Sequence, residues 1–251
     1  MATLLQVSNL TKRFRGVVAT DDCSLEVAAG ELHALIGPNG AGKTTLVNLL
    51  SGELAPDAGS IVFDGHDITR TAVHERALRG LVRSFQITSV FPELTALQNV
   101  MLGVQAIAGD RFSFLRDART DRRLTEPASE ALHAVGLARS ADRRVADLAH
   151  GERRQLELAM VLALKPRLML LDEPLAGMSA AEGEAMVALL GRLKADCTIV
   201  LVEHDMGAVF SLADRLTVLA SGRPIATGTP DGIRSDPLVR NAYLGEEGMI
   251  A

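Results

Sequence analysis

Gly37-Pro-Asn-Gly-Ala-Gly-Lys-Thr-Thr45 is the stretch on which the reading of this chain turns. From Gly37 through Thr44 it satisfies the pattern G-x-x-x-x-G-K-[ST]. Gly37, Gly40 and Gly42 let the backbone turn tightly and bring its N–H groups against phosphate oxygens, where a Cβ would block the approach. Lys43 reaches the β and γ phosphates as a point charge, and the Thr44 hydroxyl is placed to ligate Mg²⁺. Thr45 and Leu46 then open a helix whose positive end faces the same phosphates. Just upstream, Glu31-Leu-His-Ala-Leu-Ile36 alternates and then runs apolar like a buried strand, so the motif has the strand and helix it requires on either side. Gly37, Pro38, Asn39, Gly40, Ala41, Gly42, Lys43, Thr44 and Thr45 are the expected nucleotide-binding loop.

The rest of the composition narrows the class. A chain of 251 residues, 47% of them hydrophobic, buries a full core; length alone allows one large domain or two small ones. A net charge of -5 argues against wholesale nucleic-acid binding. No N-terminal stretch has the pattern of a signal peptide and no apolar run has the length to span a bilayer, so a cytoplasmic protein is expected. Cys23 and Cys197 are the only cysteines, too few for a disulfide framework or a cysteine zinc site, and are expected as small core residues.

Outward from the loop the chain reads as strands, then helices, then strands again. Residues 3–36 predict two or three strands, with Leu4-Leu-Gln-Val7 the first and Val17 to Val27 the second. Phe14 lies between them; it stacks on an adenine ring or is a half-buried strand residue, and the residues alone leave both open. Gly59 to Gly65 predicts a strand into a turn, Ala72 to Arg79 a short helix, and Leu81 to Phe85 a returning strand that ends at Gln86. Thr95 to about Arg144 has apolar residues at helical spacing and predicts a helical insertion. Its Arg111, Arg116, Arg119, Arg122 and Arg123, partly balanced by Asp110, Asp117 and Asp121, make a solvated helix face or a surface near lipid headgroups or a partner.

Leu148-Ala-His-Gly-Glu152 precedes a helix predicted from Arg153 to about Leu164. Leu168 to Asp172 is an apolar strand ending in the carboxylates Asp172 and Glu173. Such a run suits a parallel strand whose C-terminal end opens on a ligand site. Beside a phosphate loop, Asp172 can hold Mg²⁺ through water while Glu173 polarises the attacking water. Ala180 to Ala195 predicts a helix and Thr198 to Val202 another buried strand, ending at Glu203-His204-Asp205. His204 is structural, or it contacts a γ-phosphate through its ring N–H. Arg215 to Tyr243 predicts strand, turn, strand and two short helices.

The order of Gly37–Thr45, Gln86, Leu148–Glu152, Leu168–Glu173 and His204 resembles the ATP-binding subunit of an ABC transporter along the whole chain. The resemblance implies an α/β fold: a P-loop NTPase core with a mixed sheet, an N-terminal antiparallel β subdomain and an inserted helical subdomain. It makes residues 1–251 a single ABC ATPase domain, with 1–94 and 165–251 forming the core and β subdomain and 95–164 the helical subdomain. ATP and Mg²⁺ are the implied cofactors. Phe14 would stack on adenine, Gln86 would sense Mg²⁺, Glu173 would be the catalytic carboxylate, and His204 the γ-phosphate switch. Two subunits would bind ATP head to tail, each site completed by Leu148, Ala149, His150, Gly151 and Glu152 of the other.

Two departures separate this chain from the family pattern of Leu-Ser-Gly-Gly-Gln and, later, Ser-Ala-Leu-Asp. Ala149, His150 and Glu152 replace serine, glycine and glutamine, which leaves backbone N–H groups near Gly151 to meet the phosphate. Ser179 stands where the aspartate would. With Val82-Arg-Ser-Phe-Gln86, Glu203-His-Asp-Met206 and Ala242-Tyr-Leu-Gly-Glu246, these features resemble the larger ATPase of high-affinity branched-chain amino-acid importers. The resemblance implies a peripheral protein on the cytoplasmic face of the inner membrane. Its partners would be a second ATP-binding subunit, two transmembrane permeases and an extracytoplasmic solute-binding protein, with no nucleic acid. The same role in a urea, amide or organic-acid importer is the first alternative. A soluble ABC ATPase acting on DNA or ribosomes is the second, although the chain lacks a second ATPase unit and a long coiled coil. A kinase or GTPase is the third, although the Asn-Lys-x-Asp motif is missing.

Overall fold

The structure, a computed structural model, describes residues 2–84, 90–108 and 121–244, without the side chains of 107–108 and 241–244. Two long strands open the chain, β1 (Thr3–Phe14) and β2 (Val17–Ala28), paired antiparallel. The first runs seven residues past the expected Val7 because bulges break its alternation. Asn9 (φ 51°) and Asp22 (φ 53°) sit in the left-handed region, the Asn9 side chain donates to Asp22 Oδ1 at 2.7 Å, and the register shifts around them. With β4 (Ala58–Phe63) and β5 (His66–Asp67) they form an antiparallel sheet ordered β2-β1-β4-β5.

A second sheet is ordered β10-β9-β3-β8-β7-β6, from β3 (Leu32–Ile36), β6 (Leu81–Arg83), β7 (Leu168–Asp172), β8 (Thr198–Val202), β9 (Arg215–Ala220) and β10 (Arg223–Gly228). All its pairs are parallel except β9 with β10. Strands β3, β7 and β8 are buried at every position, as parallel strands covered on both faces must be. His33 in β3 is polar, as are Asp172 at the end of β7 and Thr198 at the start of β8. The His33 ring bonds Glu31 Oε1 (2.7 Å) and Thr217 Oγ1 (2.8 Å), so its buried nitrogens are both paired.

The helix after the phosphate loop, α1 (Lys43–Ser51), is wedged between the sheets. Its Leu46, Leu49 and Leu50 pack in one cluster with Leu5, Val7 and Ile61 of the antiparallel sheet and Leu35, Leu170 and Val202 of the mixed one. Its far end is closed by Arg76 of α2 (Val73–Leu78), a fully buried arginine. The guanidinium donates to the carbonyls of Leu49 (2.8 Å) and Leu50 (2.7 Å) in the last turn of the helix, and to those of Thr71 (2.9 Å) and Thr69 (3.2 Å). Burial pulls its pKa down to about 10, which leaves it charged at neutral pH.

Between β6 and β7 the chain forms α3 (Ala96–Ala108), α4 (Arg122–Ala134) and α5 (His150–Leu162), packed as one cluster with Met169 and Leu171. Helix α5 begins at His150, three residues before the expected Arg153, because Ala149 takes the extended N-cap geometry (φ -64°, ψ 163°). After β7 come α6 (Ala180–Leu193) and α7 (Met206–Leu212), then α8 (Pro230–Ser235) and α9 (Pro237–Leu244). Of the basic stretch, Asp110, Arg111, Arg116, Asp117 and Arg119 lie outside the described residues; Arg122 and Arg123 are exposed and paired with Glu126 and Asp121. Cys23 and Cys197 are buried core thiols, each pushed up to about 12 by burial. Among the described residues no helix is long and apolar enough to cross a membrane.

Candidate nucleotide site

The loop from Gly37 to Gly42 is fixed from outside by the backbones of two strands. A Cβ on Gly37 (φ 155°) would stand 2.3 Å from the Leu219 carbonyl oxygen, and one on Gly42 (φ 98°) 2.3 Å from that of Ala19. A Cβ on Gly40 would meet nothing within 4 Å. Two of the three glycines are therefore required by the protein's own backbone, whatever clearance a phosphate also needs. Helix α1 starts at Lys43, two residues earlier than Thr45, because left-handed Gly42 is its N-cap. No side chain caps it, and the N–H groups of Lys43, Thr44 and Thr45 make no hydrogen bond among the described residues. A row of unpaired donors at the positive end of a helix is a seat for an anion. Lys43 Nζ rests on the carbonyls of Gly37 (2.6 Å) and Pro38 (3.1 Å). Burial lowers its pKa, opposed by the negative charges of Glu173 and Asp172.

Those acids end β7. The side chain of Asp172 is 1% exposed, and its Oδ2 accepts from Arg83 Nη2 at 2.9 Å. Burial raises the Asp172 pKa; Arg83 opposes the rise. Glu173 turns out of the strand with φ 51°, a left-handed value uncommon outside glycine and asparagine, and its N–H bonds the Val202 carbonyl at 2.9 Å. His204, just past β8, brings Nδ1 to 3.8 Å from Glu173 Oε1, both side chains facing solvent. Between them Glu203 is buried and accepts from the N–H groups of Leu175 (2.8 Å) and His204 (3.1 Å), which ties the two loops together. Burial raises its pKa against those bonds. Glu203 and Arg83 were not singled out from the sequence; a charged residue at the end of a strand lining a phosphate loop was the available signal.

Leu148–Glu152 forms the entry to α5. Leu148 and Gly151 are buried, and Glu152 accepts from the Ala149 N–H (3.0 Å), the Ser140 hydroxyl (3.0 Å) and Arg143 (2.9 Å). Those contacts, led by the Ala149 N–H, hold its carboxyl below its usual pKa. The Gly151 N–H donates to Glu182 Oε1 of α6 at 3.2 Å, and Glu182 Oε2 accepts from the N–H and hydroxyl of Ser179, the N-cap of α6. Among the described residues no hydrogen bond or ion pair joins Leu148–Glu152 to the Gly37–Thr45 loop. Phe14 ends β1, 44% exposed, with Lys12 Nζ 5.7 Å from its ring centroid. Gln86 lies outside the described residues.

The donors suit magnesium, a hard cation that takes one or two protein oxygens and fills its sphere with water and phosphate. The Thr44 hydroxyl is exposed and, like Asp172 Oδ1, makes no hydrogen bond among the described residues, where no cluster of three or more metal-binding side chains occurs.

Comparison with known proteins agrees with this geometry. The family model described as ABC transporter matches residues 20–176, and one described as branched-chain amino acid ATP-binding cassette transporter matches residues 223–248. The chain is 39% identical, over 97% of its length and 98% of the relative's, to the high-affinity branched-chain amino acid transport ATP-binding protein BraF of Pseudomonas aeruginosa. It is 38% identical over the same shares to LivG of Salmonella typhimurium, which bears the same description. Among solved structures it is similar to the ADP conformation of MJ1267, an ATP-binding cassette of an ABC transporter, with a TM-score of 0.86 and 29% identity over 98% of this chain and 100% of that one. With the phosphate loop, the paired acids and the strand order in place, the chain belongs to the ABC transporter family and is one of its ATP-binding, ATP-hydrolysing cassettes.

Proposed function

We propose that this cassette energises the import of branched-chain amino acids, hydrolysing Mg²⁺-bound ATP between two cassettes on the cytoplasmic face of the inner membrane. The observation that carries the chemistry is the approach of His204 Nδ1 to Glu173 Oε1 at 3.8 Å, where β7 and β8 end. On this reading the loop Gly37–Thr45 cradles the phosphates, Lys43 meets the β and γ oxygens, Thr44 and Asp172 hold the metal, and Phe14 lies against the base. Glu173 orients the attacking water and His204 donates to the γ-phosphate. Mg²⁺ held by Thr44 and Asp172 would supply positive charge to offset the charge on the phosphates.

Separation of Leu148–Glu152 from the loop of its own chain supports head-to-tail pairing, in which one cassette's α5 entry faces the other's nucleotide. The partners are then a second cassette, two permeases and a solute-binding protein, with Gln86 in the segment that senses the metal and meets a permease. Residues 1–94 and 165–251 act as the nucleotide-binding core and β subdomain, and 95–164 as the helical subdomain. The match over residues 223–248 supports the choice of solute.

The test is Glu173→Gln, which keeps ATP binding, abolishes hydrolysis and accumulates an ATP-bound dimer on size exclusion. Unchanged hydrolysis in that variant refutes the mechanism. Loss of labelled leucine uptake, but not of urea uptake, in cells carrying it supports the solute; the converse result assigns the cassette to another importer.

A further inference from the structure

Arg83 is an oddity of the site: a charged side chain only 8% exposed, at the end of β6, with no place in the mechanism above. Its guanidinium reaches three segments at once. Nη2 donates to Asp172 Oδ2 at 2.9 Å; Nη1 donates to Asn48 Oδ1 of α1 at 2.5 Å and to Glu53 Oε2, just beyond that helix, at 2.9 Å. A planar fork that meets acceptors on both sides has one orientation, which a lysine's single ammonium would not impose. Arg83 commits one oxygen of the buried Asp172 carboxylate, while Oδ1 stays without a hydrogen bond among the described residues. Buried ion pairs contribute little net stability compared with apolar packing, so this one calls for another explanation.

We propose that Arg83 is a positioning residue for Asp172: it fixes Oδ2 so that Oδ1 is presented to the magnesium ion of the nucleotide, and through Asn48 it registers that carboxylate against the helix carrying Lys43 and Thr44. The inference rests on the reading of Asp172 as a metal-holding residue. It concerns how that residue is aimed, and it predicts a defect in the metal's contribution to binding and none in the phosphates' own.

The experiment is a titration of the full chain with a fluorescent ATP analogue, in EDTA and in saturating Mg²⁺. The ratio of the two affinities measures what the metal adds. In Arg83→Lys the ratio falls by about 10-fold or more, the size of effect typical when an outer partner of a metal ligand is lost, while affinity in EDTA is unchanged. Asn48→Ala, which keeps the guanidinium and its bond to Glu53 but removes the link to α1, lowers the ratio in the same direction by less, and guards against misfolding of the arginine variant. A wild-type ratio in both variants overturns the proposal, as does an equal loss of affinity with and without metal. Lys43→Ala separates this from the site itself: normal nucleotide affinity there refutes the nucleotide-site reading, whereas lost affinity beside a wild-type ratio in Arg83→Lys refutes only the role of Arg83.

Discussion

Glu182 Oε1 accepts the N–H of Gly151 at 3.2 Å across 31 residues of sequence, and a Cβ on Gly151 would stand 2.6 Å from that oxygen. One carboxylate thus serves the first turns of both α5 and α6. Gly151→Ala displaces this flexible carboxylate and loses its bond, a cost of about 1 kcal/mol that roughly cancels the helix propensity gained. In a Glu182→Ala background only the gain remains, and Gly151→Ala stabilises by about 1 kcal/mol. A double-mutant cycle by urea denaturation measures the coupling; equal effects in both backgrounds count against the contact.

Ala149 holds N-cap geometry without a side chain able to cap, while Glu152 supplies the reciprocal half of a capping box at 3.0 Å. Ala149→Ser completes it and is expected to stabilise the chain by about 1 kcal/mol. A thermal melt that shows no gain means that Glu182 already satisfies the end of the helix.

The left-handed backbone of Glu173 predicts a division between stability and catalysis. Asparagine tolerates that conformation and glutamine does not, so Glu173→Asn should be more stable than Glu173→Gln by about 1 kcal/mol, with both unable to hydrolyse ATP. Denaturation of the pair side by side decides it, and equal midpoints would show that the turn carries no strain.

Glu31 gives the pH dependence. Burial pushes its carboxyl up, but the bonds to His33 and the Ala28 N–H, with the charges of His33 and Arg215, outweigh that and hold it below the ordinary 4.5. A carboxyl depressed in the fold stabilises it fully above its unfolded value and loses that contribution as pH falls through the folded one. Glu31→Gln should therefore lower the melting temperature at neutral pH, and the gap to wild type should close below pH 4.5. A gap that persists in acid would assign the loss to packing.

Much of this was legible in the residues. The loop, the acids at the end of β7 and His204 announce themselves because their chemistry requires fixed neighbours in sequence, and the buried strands because both faces of each are apolar. Less legible were features that depend on contacts distant in the chain. The length of β1 is hidden by Asn9 and Asp22, whose bulges make sense only across the strand pair. One constraint on Gly37 and Gly42 lies at Leu219 and Ala19. The roles of Arg83, Glu182 and Glu203 each rest on a partner at least 28 residues away.

Arg76 closes the end of α1 opposite the phosphate seat, one helix of nine residues away, a span of about 14 Å. The helix is a dipole clamped at one pole by a cation of the protein and left open at the other for an anion from solution. A geneticist collecting variants with weak nucleotide binding should therefore recover Arg76 among them, and would find a lesion that no nucleotide ever touches.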